Sequence, residues 1–194
     1  MLAVSGQLNN KAYGPPVPVM ADLVGRFVIG QENNVGETPG AVIDMKGEQY
    51  RRSIYIQIRR SRPLSVFRTF DRPAMSPNCD KRRPSTGSPQ SLLMMNSDLV
   101  LGYSRDLAER LENEAGADVN AQIQLAWSLV YSRAPEGPES AAAFSFIDQQ
   151  TAIFAELPEY QAKDDKPPER TAIQEATALM CQMLLSSNEF LYVD

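Results

Sequence analysis

The sequence predicts a mainly α fold: an irregular helical domain with a loop-rich N-terminal third, room in that third for a small β-hairpin, and a C-terminal set of antiparallel helices. Three observations carry this expectation. From residue 88 onward, apolar residues recur at helical spacing between capping residues and glycine or proline stops. Residues 25–43 instead hold four glycines and one proline around two short apolar runs. A chain of 194 residues with 43% hydrophobic and 22% charged content has the composition of one globular domain, or of a domain with an appended lobe. Residues 1–194 therefore read as a single domain, with a loop-rich part over 1–87 that carries basic helices and a helical part over 88–194.

In chain order, Leu2, Ala3 and Val4 begin as though a helix were already under way, with no capping residue ahead of them, which suggests the start of a fragment. Gly14, Pro15, Pro16 and Pro18 forbid a helix and predict extended chain. The runs Phe27–Ile29 and Ala41–Ile43 supply the hairpin, and the glycines around them fit no phosphate-cradling spacing. Tyr50 to Arg60 reads two ways, since Ile54, Ile56 and Ile58 alternate like a strand while Tyr50, Ile54 and Ile58 form an i, i+4 stripe. A helix stopped before Pro63 is preferred. A second short helix over Pro63 to Phe70 would bury Leu64, Phe67 and Phe70. Asp71 to Gly87 follows as a seventeen-residue loop with three prolines, long enough to be functional or tightly pinned.

The later helices have clearer ends. Ser88 and Pro89 open one running through Leu92, Leu93 and Met95. Ser97 caps the next, with Leu99, Tyr103, Leu107 and Leu111 in a stripe ended by Gly116. Asp118 caps a third, with Ile123, Ala126, Trp127, Val130 and Tyr131 on one face, stopped before Pro135. A fourth begins near Pro138 and gathers Phe144, Ile147, Thr151 and Phe154 until Pro158. After a polar loop over 158–168, the last helix starts near Pro168 and Glu169 and turns Ala172, Ala176, Leu179, Met180, Met183 and Leu184 inward. Glu169 and Glu175 read as surface acids, Asp164 and Asp165 as a solvated loop pair, and Met94, Met95, Met180 and Met183 as core filler.

Charge is unevenly placed. Arg51 to Arg83 carries ten bases against two acids, while residues 84–194 hold six bases and seventeen acids. Such a cation can serve an outside anion or an inside one. With a net charge of −5 the second is preferred, the arginines being answered by carboxylates of the later helices. The acidic total and the lack of any recognisable module argue against nucleic acid. No run approaches the ~18 consecutive apolar residues of a membrane span. There is no histidine, which removes Ser-His-Asp and Cys-His sites, histidine-bearing zinc sites and the haem attachment motif. Cys79 and Cys181 could pair in an oxidising compartment, but two free, buried thiols are the commoner case, and Cys79, without an imidazole beside it, reads as non-catalytic.

Four stretches carry a resemblance: AVSGQLNN, DMKGEQYRRSIYIQIRRSRP, FDRPAMSPNCDKRRPSTGSPQSLLMMNS and ALMCQMLLSSNEFLYVD. In these the chain resembles the planctomycete PSD-type C-terminal domain of unknown function, found in large planctomycete proteins that often carry a cytochrome c domain. The resemblance implies a C-terminal piece of an exported, extracytoplasmic multidomain protein linked to polysaccharide breakdown. Its partners would be the upstream domains of the parent protein, and haem would sit only in a separate domain, leaving this chain without a cofactor. No catalytic residue is carried over.

The positions that bear the resemblance include Arg51, Arg52, Tyr55, Asp71, Arg82, Gln90, Asn96, Asn188 and Glu189. The preferred reading makes them ties between loops and helices, because buried polar groups must find partners. The functional one makes Arg52, Asp71, Arg82 and Gln90 the lining of a polar cleft. Three functions follow in order. The first is a non-catalytic accessory or docking domain. The second is a module for anionic polysaccharide, with Arg51, Arg52, Arg59, Arg60, Arg82 and Arg83 against charge and Tyr50, Tyr55 or Trp127 as platform. The third is a carboxylate-based hydrolase using Asp71 and Glu189.

Overall fold

Helix dominates the computed structural model, which describes residues 1–31, 43–59, 61, 63–72, 87–161 and 168–192. Among these are seven α-helices and one two-stranded antiparallel sheet, so the mainly α expectation holds. The chain divides into two compact units, residues 8–93 and residues 94–194 together with 1–7.

In the first unit, β1 (Val19–Ala21) pairs with β2 (Phe27–Ile29), Met20 opposite Val28. The turn between them has a local cause. Asp22 Oδ1 accepts from the amides of Val24 (3.0 Å) and Arg26 (2.7 Å), and Gly25 closes onto Asp22 C=O at φ +79, the left-handed residue that a three-residue hairpin loop requires. The hairpin is therefore real, but the partner of Phe27–Ile29 is Val19–Ala21. Of the other run, Ala41 and Val42 lie outside the described residues.

Tyr50 to Arg59 is not the preferred helix. Two single 3-10 turns, Glu48–Tyr50 and Ser53–Tyr55, are each followed by an extended residue, Arg51 and Ile56. Tertiary pairing decides this. The Val17 amide donates to Tyr55 C=O (2.8 Å) and the Gln57 amide to Val17 C=O (2.8 Å), taking backbone groups that a helix would use. Only Ile56 is buried, whereas Ile54 is 82% exposed and Ile58 56%. The expected basic helices reduce to α1 (Ser65–Thr69), which carries Arg68. Leu64, just before it, joins Val17, Val19 and Ile56 in the unit's core, with Phe67 and Val66 packed alongside.

Helix α2 (Ser88–Asn96) carries the chain from the first unit into the second. Its buried line is Gln90 and Met94, while Leu92 and Met95, expected inward, are exposed. Met1 to Gly6 makes one turn, Ser5 N–H to Met1 C=O, and is not a continuing helix.

The second unit holds α3 (Asp98–Ala115), α4 (Val119–Tyr131), α5 (Gly137–Ala155), α6 (Ala172–Leu185) and α7 (Asn188–Leu191). The caps fall where expected for α3 and α4: Ser97 and Gly116 bound the first, and Asp118 accepts from the Asn120 amide. Thr171, three residues past Pro168, caps α6 in a reciprocal box with Gln174. Helix α6 is the centre, packing on α3 and α5, and eight of its residues are buried around most of its circumference. The α3 stripe is Val100, Tyr103, Leu107 and Leu111; Leu99 is 39% exposed. In α5 the expected Ile147 is buried and Thr151 and Phe154 are half-buried, but Phe144 is 45% exposed and Ala143 is buried instead. Met183 of α6 is likewise exposed.

The placing of Phe144 outside the core is testable. Ile147→Ala removes a buried side chain and costs about 2–5 kcal/mol, whereas Phe144→Ala costs under about 1 kcal/mol, both read from urea unfolding midpoints. Equal losses would restore the Phe144 face to the core.

Candidate functional site

Arg51 is the most deeply placed charge of the first unit, its side chain fully buried. The extended backbone at Arg51, held by the amide of Asn9 on Tyr50 C=O (3.0 Å), aims the guanidinium into the loop over 11–15. There it donates to the carbonyls of Lys11 (3.3 Å), Tyr13 (2.5 Å) and Pro15 (2.9 Å) and to Glu48 Oε2 (3.2 Å). Glu48, also gripped by Lys11, is held below the usual carboxylate range. The Tyr55 ring lies against the Arg51 guanidinium at 4.1 Å, with Arg52 over it at 5.7 Å. Its phenol accepts from the Tyr13 amide and from Arg52, which lowers its pKa in that order of effect. Arg51 is thus answered inside its own unit, by carbonyl dipoles and one nearby acid. It cannot be a surface contact for a polyanion, and Arg52 and Arg59 are the exposed members of the basic stretch among the described residues between 51 and 59.

The second pair is Asp71 and Gln90, where Gln90 Nε2 donates to Asp71 Oδ2 (3.3 Å) and to Thr69 C=O (3.1 Å). Asp71 sits at φ +52, uncommon for a residue with a Cβ, so this contact pins the chain as it leaves α1. Arg60, Arg82, Arg83, Cys79, Asp164 and Asp165 lie outside the described residues. Asn96, exposed, ends α2.

In the helical unit Glu139, Glu175 and Glu189 are held by that unit's own arginines. Arg133, on the connection between α4 and α5, grips Glu139 with Nη1 and Nη2 (both 2.8 Å) and Glu189 with Nε (2.8 Å) and Nη2 (3.0 Å). Glu139 also accepts from the Glu136 amide at the start of α5, and its pKa falls to about 2. Glu189 is lowered by the same arginine. That direction keeps Glu189 ionised, the opposite of what a general acid needs. The exposed Asn188 is the first residue of α7, whose cap Ser187 takes a hydrogen bond from Tyr131 (2.9 Å). Glu175, expected on the surface, is buried and held by Arg105 (2.6 Å) and Arg170 (3.2 Å). Neither Arg133 nor Glu175 stood out in the sequence. A capping residue such as Thr171 followed by Gln174 and Glu175 marks the helix start, but the partner of Glu175 lies 70 residues away. Trp127 is buried, edge-on to Tyr131, and burial pushes the free Cys181 thiol well up.

Beside Arg51, a cleft of about 490 Å³ opens in the first unit, with Pro16, Pro18, Met45, Glu48 and Arg59 among its walls. Among the described residues no three acids or cysteines group as a metal would require.

These features define a mainly helical protein of two units in which Arg51 and Glu175, the buried charges among the described residues, are each held within their own unit. More particularly, residues 1–147 match the profile of the family described as PSD1, protein of unknown function (DUF1553), and the chain belongs to that family. Neither a curated protein nor a solved structure matches it. The matched residues stop within α5, so α6, α7 and the last of the four sequence motifs lie beyond them.

Arg51→Ala leaves three carbonyls without their donor and costs about 3–5 kcal/mol, while Arg52→Ala stays within about 0.5 kcal/mol, as denaturant unfolding would read. A second expectation concerns acid. Glu139 has a folded pKa of about 2 against an ordinary 4.5, so its contribution to stability is present above pH 4.5 and lost as pH falls toward 2. In carboxyl-detected NMR titrations, Arg133→Gln should return Glu139 toward 4.5 and flatten that dependence; an unmoved midpoint would assign the shift elsewhere.

Proposed function

We propose that the chain is a non-catalytic accessory or docking domain, which holds a larger protein together or presents a surface to a partner. The observation that supports this most is Arg51: the first arginine of the motif-bearing basic stretch is buried and spent on three backbone carbonyls and Glu48. Asp71 with Gln90, and Glu189 with Arg133, fit the same pattern of holding segments in place. Buried polar groups that are fully partnered specify geometry. On this reading the parent is an exported planctomycete protein with a cytochrome c domain, linked to polysaccharide breakdown, and its upstream domains are the partners.

A second reading, a module for anionic polysaccharide, is favoured by Arg52, which stays exposed above the Tyr55 ring. Its mark would be affinity for a sulfated oligosaccharide that falls steeply with salt.

The docking reading is tested by expressing this chain and the remainder of its parent polypeptide separately and mixing them on size exclusion. Co-elution is expected. Independent elution at micromolar concentrations would overturn the reading.

A further inference from the structure

Residues 17–22 run extended, and the backbone groups of successive strand residues alternate between two edges. Pro18, Met20 and Asp22 face β2: the Gly30 amide donates to Pro18 C=O (3.1 Å), Met20 stands opposite Val28, and the Asp22 amide donates to Arg26 C=O (2.8 Å). Val17 and Val19 therefore face the other edge. Val17 is satisfied there, donating to Tyr55 C=O and accepting from the Gln57 amide. The next rung of that parallel ladder would join Val19 to Gln57 and Arg59. It is not made, and among the described residues no hydrogen bond reaches the Val19 N–H or C=O on this edge, although Val19 is only 2% exposed. Backbone groups so deeply placed are rarely left without a partner.

The cleft lies along this edge, with Val17, Val19, Gln57 and Arg59 in its walls. The two segments part after one rung and leave a wedge open between them. Pairing is confined to a short stretch, because Pro15 has no N–H to offer and its carbonyl is taken by Arg51. Charge selects the guest. Residues 8–93 hold thirteen bases and seven acids. The carboxylate in the cleft, Glu48, is already bound by Lys11 and Arg51, whereas the exposed Arg59 spends one donor on Gln57 Oε1 (3.1 Å).

We propose that this cleft takes an extended acidic polypeptide segment by strand addition, the segment's backbone pairing with Val19 and one of its carboxylates meeting Arg59. The inference rests on the docking reading and names its site and the chemistry of its partner.

The probe is a phage-displayed library of random twelve-residue peptides, selected on the intact chain. Enriched sequences should be acidic, with β-branched residues in alternation. The synthetic winner should lose at least tenfold in affinity when alternate amides are N-methylated, and a similar factor against Arg59→Glu, a variant at an exposed position. No enrichment, basic winners, binding indifferent to N-methylation, or displacement by a sulfated oligosaccharide alone would each overturn the proposal. The failures are separable: if the parent's remainder co-elutes with wild type and Arg59→Glu alike, and the peptide arm is negative, docking survives and this site does not.

Discussion

A guanidinium taken wholly out of water governs the first unit. Burying one charge is costly unless donors and acceptors around it are complete. Arg51 meets that demand by drawing the carbonyls of Lys11, Tyr13 and Pro15 inward, and the loop wraps around it as a result. Tyr13 takes φ +61 to allow this, an outlier for a bulky residue, and its side chain is left 84% exposed. With 11–15 fixed, Val17 arrives in register with Tyr55 and Gln57, and the same strand continues into the hairpin. The cleft beside β1 is thus a consequence of where Arg51 holds the chain.

The helical unit solves a different problem. Its central helix is buried on most sides, so a carboxylate in its first turn, Glu175, enters the interior unless it is neutralised. Arg105 and Arg170 do so from α3 and from the residues just before the α6 cap. Arg133 does comparable work at the surface, clamping the start of α5 and the first turn of α7 with one planar fork. Lysine, a point charge on a flexible stem, could not hold both carboxylates in two-pronged geometry.

Much of the helical unit was legible because caps are local: Ser97, Gly116 and Asp118 act on their own helix ends, and the chain shows them directly. What failed was non-local. The alternation of Ile54, Ile56 and Ile58 could not be weighed against the i, i+4 stripe without knowing that Val17 pairs with this segment, and that pairing left two of the three isoleucines outside the core. Phe144 and Met95 misled for a related reason. Periodicity finds an apolar stripe but not which part of it meets a neighbour, and small Ala143 beside Ile147 proved the better fit against the packed helices. Among site residues, Arg51 and Asp71 stood out in the sequence, but the partners each meets did not. Arg133 and Glu175 did not stand out, since a salt bridge across 56 or 70 residues leaves no spacing signature.

The expectation that the later helices' acids answer the basic stretch fails for Arg51, while Arg60, Arg62, Lys81, Arg82 and Arg83 lie outside the described residues. Glu139, Glu175 and Glu189 are engaged by Arg133, Arg105 and Arg170, all of the helical unit, and Arg51 is satisfied by its own loop. Once those pairs are set aside, residues 8–93 retain a basic surplus and residues 94–194, with six bases and seventeen acids, an acidic one. Solvated surplus charge contributes little to folding but strongly to which partner approaches and how fast. In a chain that seals its buried charges in this way, fixed geometry comes from the buried pairs, and the long-range field is left to the exposed remainder.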